Sequence, residues 1–244
     1  MQLFISQNYT QQNNNIIIND EIIIHQCLHV LKMKVGQSVM IQDQYKTIRY
    51  TITIKEINKQ NIIWYIQHID NHTIKKDYQI IMCIALPNRH EKSELIVQKL
   101  SEIGVNTIIF FPSDRSIIRH LSDKKLQRLY MISKEAIEQS FGRSLPLLSM
   151  EDSLDTVLKI SSKDKGSIHI LLDHQGTDAS IINIKDKKNI YMYIWPEWWF
   201  TWEEKKCILQ NDKSISLCLG DTNLRMETAA IIGSRISKNL NISK

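Results

Sequence analysis

The sequence predicts an α/β fold in two parts: a small β-barrel-like domain over residues 1–72 and a larger α/β domain with a mostly parallel sheet over 73–244. Three observations carry this expectation. At 244 residues and 43% hydrophobic, the chain has enough apolar material for one large core or two modest ones. From Asn15 to Ile69 the apolar residues fall in short runs with a period near two, the pattern of strands. From Tyr78 onward, compact apolar runs alternate with segments of helical spacing, which builds a sheet covered on both faces.

In the first part, IIIND (16–20), SVMIQD (38–43), TIRYTITIKEI (47–57) and NIIWYIQHI (61–69) read as strands, with NKQN (58–61) as a turn between the last two. HQCLHVLKMKVG (25–36) predicts a short helix closed by Gly36, since glycine tolerates the positive φ that follows a helix end. The polar stretch DNHTIKKD (70–77) is the expected linker. In the second part, IIMCIAL (80–86), TIIFF (107–111), IHILL (168–172), IYMYI (190–194) and SLCL (216–219) are the expected buried strands. Between the first two, Leu95, Ile96, Leu100 and Ile103 form a helical stripe that Gly104 closes. Ser122 is the expected cap of a helix running through 126–140, and LRMETAAIIGSRISKNL (224–240) reads as the last helix.

Composition excludes more than it selects. A formal charge of +5 favours an anionic partner only weakly. Cys27, Cys83, Cys207 and Cys218 form no CxxC pair, so buried free thiols in a reducing compartment are expected rather than disulfides or a metal. His25 and His29 are four apart without a third ligand nearby, and no metal site is expected. The start MQLFISQNYT has no charged and apolar leader pattern, and no run of about 18 apolar residues occurs. A cytoplasmic protein is expected. GxGxxG, Walker, GxSxG and HExxH motifs are all missing, which argues against dinucleotide dehydrogenases, P-loop NTPases, α/β-hydrolases and zincins.

Ligands of open α/β sheets gather at the carboxyl ends of the strands. Three such loops hold polar residues: Asp173-His174-Gln175-Gly176, the segment after Ile194, and Gly220 to Thr228. The middle one, IWPEWWFTWEE (194–204), holds four of the five tryptophans of the chain in eight positions. Glycine is short, at 7 residues or about 3% against a usual ~7%, while isoleucine occurs 42 times, as codons from an AT-rich genome would give. An aromatic platform, a membrane-interface wedge and a segment not to be taken literally are the three readings of the tryptophan cluster.

Five ordered stretches resemble one family. Leu219-Gly220-Asp221-Thr222-Asn223-Leu224-Arg225-Met226-Glu227-Thr228-Ala229 resembles the last motif of the RsmE-type 16S ribosomal RNA uridine N3-methyltransferases. Gln98 to Val105 is similar to that family's QKxxELGV helix end, and Glu135 to Ser140 with Arg143 and Pro146 to its EAxxQsxR…P segment. His29-Val30-Leu31-Lys32 and Gly36 resemble an element of its N-terminal domain. The family motif Ile-Gly-Pro-Glu-Gly-Gly-Phe-x-x-Glu then lands on Ile194 to Glu203, where the named non-glycine positions agree and the glycines are Trp195, Trp198 and Trp199. A codon UGA that the cell reads as glycine, rendered here as tryptophan, accounts for this pattern and for the glycine deficit together; Trp202 would be a fourth case, and Trp64 stays open.

The resemblance implies an N-terminal PUA-like barrel, a C-terminal SPOUT domain with a trefoil knot and a homodimer. It implies S-adenosylmethionine as cofactor, with no metal. It places that cofactor against Leu171, Leu172, Asp173, Ile194, Trp195, Pro196, Glu197, Trp198, Trp199, Leu219, Gly220, Asn223, Leu224, Arg225, Thr228 and Ala229. Asn223 departs from the family's usual aliphatic residue. Methylating uridine N3 requires loss of an imide proton and stabilisation of charge on the uracil. Arg225 is the candidate for the charge, or else a salt-bridge partner of Glu197 or Glu227; either carboxylate could take the proton, orient Arg225 or satisfy loop N–H groups. The basic residues Arg115, Arg119, Lys124, Lys125, Arg128 and Arg143 are candidates for binding ribosomal RNA, or are a solvated face. Two other functions fit the sequence: a catalytically silent RNA-binding protein of the same fold if the tryptophans are genuine, or a related enzyme acting on another RNA position.

Overall fold

The computed structural model describes residues 1–44, 48–58, 61–71, 78–178, 184, 187–210 and 213–242. Most of the expected linker lies outside them, as do two residues of the turn at 58–61. The chain forms two compact units, Met1–Lys75 with Ile137–Ser144, and Lys76–Ala136 with Leu145–Lys244.

The first unit is built on β1 (Leu3–Ser6), β2 (Tyr9–Gln12), β3 (Asn15–Ile18), β4 (Ser38–Asp43), β5 (Arg49–Ile57) and β6 (Ile62–Asp70). They form one sheet in the order β1-β4-β5-β6-β3-β2, antiparallel except for β1 beside β4. Alternation fixes which side chains go inward. Ile52 and Ile54 of β5 and Ile62, Trp64 and Ile66 of β6 join Phe4, Ile16, Ile18, Val39 and Ile41 in its core. β1 and β2 carry no alternating signal, LFIS being wholly buried and YTQQ mostly exposed, so the pattern reading starts only at β3.

The helix differs from expectation. It begins earlier, as α1 (Glu21–His25), because the Asp20 side chain accepts hydrogen bonds from the N–H groups of Ile22 and Ile23. It continues as a π-helical turn, Gln26–Val30, and stops short of Gly36. Gly36, with φ +89°, makes a turn instead and donates its N–H to the Ile54 carbonyl at 2.9 Å.

Ile137–Ser144 is tied to these strands by a buried guanidinium. Arg49, 8% exposed, donates to Gln42 Oε1 and to the carbonyls of Phe141 (3.1 Å) and Gly142 (2.6 Å). Gln42 donates to the Arg143 carbonyl at 3.0 Å, and Arg143 pairs with Asp70 at 2.6 Å.

The second unit carries β7 (Gln79–Ala85), β8 (Thr107–Phe111), β9 (Leu147–Met150), β10 (Ser167–Asp178), β11 (Asn189–Ile194) and β12 (Ser214–Cys218). Its sheet runs β12-β10-β11-β7-β8-β9, and each of these pairings is parallel, so the expected α/β class with a mostly parallel sheet is met. The helices are α2 (His90–Ile103), α3 (Asp123–Ser140, of which the residues from Ile137 on belong to the first unit), α4 (Leu154–Ser162), α5 (Trp202–Leu209) and α6 (Met226–Ile242). Gly104 closes α2 in the left-handed region at φ +81°, as its place in the sequence requires. Burial of β7, β10 and β11 on both faces explains their unbroken apolar runs.

Candidate functional site

β12, β10 and β11 are neighbours, so their carboxyl ends bring three loops together. The first loop is a bulge inside β10. Leu172 and Thr177 both face Leu217, and the four residues between them loop out. Gly176 makes this possible: a Cβ there would lie 2.6–2.7 Å from the backbone of Leu217 and Ser216. Asp173, 7% exposed, is held by Lys205 Nζ, by the Gln175 N–H (3.3 Å) and by His174 Nδ1 (3.2 Å).

The second loop follows β11. Trp199 N–H bonds the Pro196 carbonyl at 3.0 Å and closes a turn across Glu197 and Trp198. Both Glu197 carboxylate oxygens are engaged, by the Asn88 N–H (3.1 and 3.2 Å) and by Lys92 Nζ (2.7 Å). Arg115 donates to the Trp198 carbonyl at 2.6 Å. Thr201 and Glu204 form a capping box that starts α5, and Glu204 also accepts the Asp114 N–H at 2.9 Å. Phe200 stacks on Phe111 beneath the loop, with centroids 6.2 Å apart. The turn is therefore anchored at every residue from Pro196 to Thr201.

Its indoles behave in two ways. Trp198 and Trp202 are 62% and 75% exposed. Trp195 and Trp199 point inward and stack, with centroids 4.6 Å apart and planes at 14°. Trp199 also meets His174 edge-on at 5.2 Å and lies 5.9 Å below Lys205 Nζ. Its φ is +63°, in the left-handed region that bulky side chains rarely enter.

The third loop follows β12, turning at Gly220 with φ +128° before α6 begins. Together the loops enclose two adjoining cavities. One, bounded by Asp173, His174, Leu217, Leu219, Gly220, Thr222, Asn223 and Leu224, is reduced by Trp195 and Trp199 to about 10 Å³. The other, about 320 Å³, is lined by Lys92, Glu197, Asn223, Arg225, Met226 and Glu227 as well as the two indoles. Among the described residues, Arg225 makes no ion pair, and Glu227 Oε2 is buried without a hydrogen-bond partner. A desolvated carboxylate oxygen left unpaired is costly, so a polar ligand group is the natural completion of that corner.

A family model described as an RNA methyltransferase domain matches residues 75–236. The chain belongs to this RNA methyltransferase family. A curated relative, the ribosomal RNA small subunit methyltransferase E of Bacillus subtilis (strain 168), is 24% identical over 220 residues, which is 85% of this chain and 84% of that one. The enzyme of the same name from Rickettsia conorii is 23% identical over 90% of this chain and 88% of its own. Among solved structures, a Neisseria gonorrhoeae ribosomal RNA small subunit methyltransferase E bound to S-adenosyl methionine superposes with a TM-score of 0.83. It is 20% identical and covers 99% of this chain and 98% of its own.

In this RNA methyltransferase the residues singled out from the sequence separate into groups. Asp173, Trp195, Glu197, Trp199, Leu219, Gly220, Asn223, Leu224 and Arg225 line the two cavities. Leu171, Leu172, Ile194 and Ala229 are buried beneath them, where only their backbone could meet a ligand. Arg115 and Arg119 donate to carbonyls of Trp198 and Ser113, and Arg128 pairs with Glu94. Lys124 is exposed and Lys125 half-buried on α3, whereas Arg143 pairs with Asp70 in the first unit. Sequence reasoning missed Lys92. No specific signal marked it, because its partner Glu197 lies 105 residues away in sequence.

Proposed function

We propose that this RNA methyltransferase transfers a methyl group from S-adenosylmethionine to uridine N3 of 16S ribosomal RNA. Relatives named for the small-subunit RNA, aligned over most of the chain, support the substrate, and the Neisseria gonorrhoeae structure bound to S-adenosyl methionine supports the cofactor. The observation that carries the chemistry is the pairing of an unbridged guanidinium, Arg225, with an unpartnered carboxylate oxygen, Glu227 Oε2, around one cavity at the strand ends.

Roles follow from the geometry. Glu197 accepts the one Asn88 N–H on both carboxylate oxygens and pairs with Lys92, so it anchors the turn. Glu227 has an oxygen free to take the imide proton of N3. Arg225 offers a planar fork of donors to the uracil oxygens as charge grows on them. On this reading the first unit is a PUA-like RNA-binding barrel, residues 73–244 form a SPOUT domain with a trefoil knot, the protein acts as a cytoplasmic homodimer, and the exposed basic residues of 115–128 help to hold ribosomal RNA.

The stacked indoles at 195 and 199 leave no room for the cofactor beside the loop after β12: about 10 Å³ there, against roughly 300–1,000 Å³ for a small-molecule site, while the open space of about 320 Å³ lies on the side of Arg225 and Glu227. That mismatch favours one second reading, an RNA-binding protein without transferase activity. Nucleoside mass spectrometry of small-subunit RNA separates the two. Deleting the gene should remove N3-methyluridine; the native gene should restore it, and a Glu227→Gln copy should transfer roughly 10²–10⁴ times more slowly. Undiminished N3-methyluridine in the deletion strain would rule the transferase reading out.

A further inference from the structure

We infer that positions 195 and 199 are glycines in the working protein, and that 198 and 202 share their codon without sharing their importance. The inference rests on the reading of this cleft as the seat of the methyl donor, and three observations carry it. Position 199 holds φ +63° at the closing residue of the Pro196–Trp199 turn, a conformation glycine adopts freely and a bulky residue only under strain. The turn around it is nonetheless fully anchored, through Glu197, Arg115, Phe200 and the capping box, so the backbone is shaped for a residue other than the one written. The side chains at 195 and 199 occupy the space beside Asp173, Leu219 and Gly220, stacked face to face at 4.6 Å. Removing both opens the 10 Å³ cleft onto the 320 Å³ cavity that holds Arg225 and Glu227.

The outer pair differs. Trp198 and Trp202 face solvent and line neither cavity. A selected aromatic platform or plug would leave no reason for exposed indoles one and three residues away from the nearest inward one. A shared codon gives one: UGA, translated as tryptophan in the written sequence and read as glycine in the cell.

Three measurements on the full chain decide this. Peptide mass spectrometry of the protein purified from its own cells should find glycine at 195 and 199; tryptophan there overturns the inference, as would four UGG codons in the gene. Calorimetric titration of S-adenosylmethionine into the written chain should show weak or no binding. The pair Trp195→Gly with Trp199→Gly should bind at least roughly tenfold tighter, and Trp202→Gly should match the written chain. Tight binding by the written chain, or none by a folded inner-pair variant, overturns the inference. Restored cofactor binding with no methylated uridine in small-subunit RNA would leave it standing and sink the proposed reaction instead.

Discussion

Trp64 and Trp199 set the same indole in opposite surroundings. Trp64 lies in β6 between Ile16 and Ile54 on neighbouring strands, fully buried in the core of the first unit. Its backbone is extended, the conformation in which aromatic residues are favoured. Its only defect is an Nε1–H buried without a hydrogen-bond partner among the described residues. Trp199 has left-handed backbone, partial exposure and a stacking partner that is itself out of place. Residue type does not decide whether a tryptophan belongs; the dihedral it must adopt and the volume waiting for it do.

Five substitutions test that contrast. Trp64→Gly should be the most damaging. Emptying a fully buried indole site costs roughly 3–5 kcal/mol, read as a lower denaturant midpoint for the first unit. A midpoint that stays put or rises would dissolve the contrast and place position 64 with the loop. Trp199→Gly should move the other way: release of left-handed strain gains ~1–3 kcal/mol and the added freedom of glycine costs ~0.5–1 kcal/mol, for a net gain of about 1 kcal/mol. Trp199→Ala removes the indole while keeping the strain, so it should show no such gain; equal stability of the two variants would shift the explanation from backbone to volume. Smallest of all, Trp198→Gly and Trp202→Gly should each change stability by no more than about 0.5 kcal/mol in thermal unfolding, since both side chains are exposed.

Much of the second unit was legible in the sequence because parallel strands buried on both faces are written as unbroken apolar runs, and because Gly104 marks a helix end by a conformation other residues avoid. The edge strand β9 was not legible: LLSM is only half-buried and too short to show a period. β1 and β2 escaped for the same reason. In the site, Arg225 and the carboxylates Glu197 and Glu227 could be named from their loops, but nothing there distinguished one carboxylate from the other. The difference lies in Asn88 and Lys92, which are more than 100 residues distant in sequence from Glu197 and engage both its oxygens while Glu227 keeps one unpaired. The candidate RNA residues were likewise named by charge alone, which does not reveal that Arg115 spends a donor on the Trp198 carbonyl and Arg128 pairs with Glu94.

The grip of Arg49 on the carbonyls of Phe141 and Gly142 has a consequence for how the protein is made. The guanidinium is buried, and its backbone acceptor at Gly142 comes 93 residues later in the chain. At a synthesis speed of about 5–20 residues per second, the nascent first unit waits roughly 5–20 s before the segment that completes it exists. Throughout that interval the strands from Leu3 to Asp70 have been synthesised without the carbonyls that satisfy their most deeply placed cation. The first unit therefore closes only after Lys76–Ala136, most of the first half of the second unit's sheet and helices, has left the ribosome. Synthesis proceeds from one end to the other, but completion does not: the amino-terminal unit is begun first and cannot be finished first.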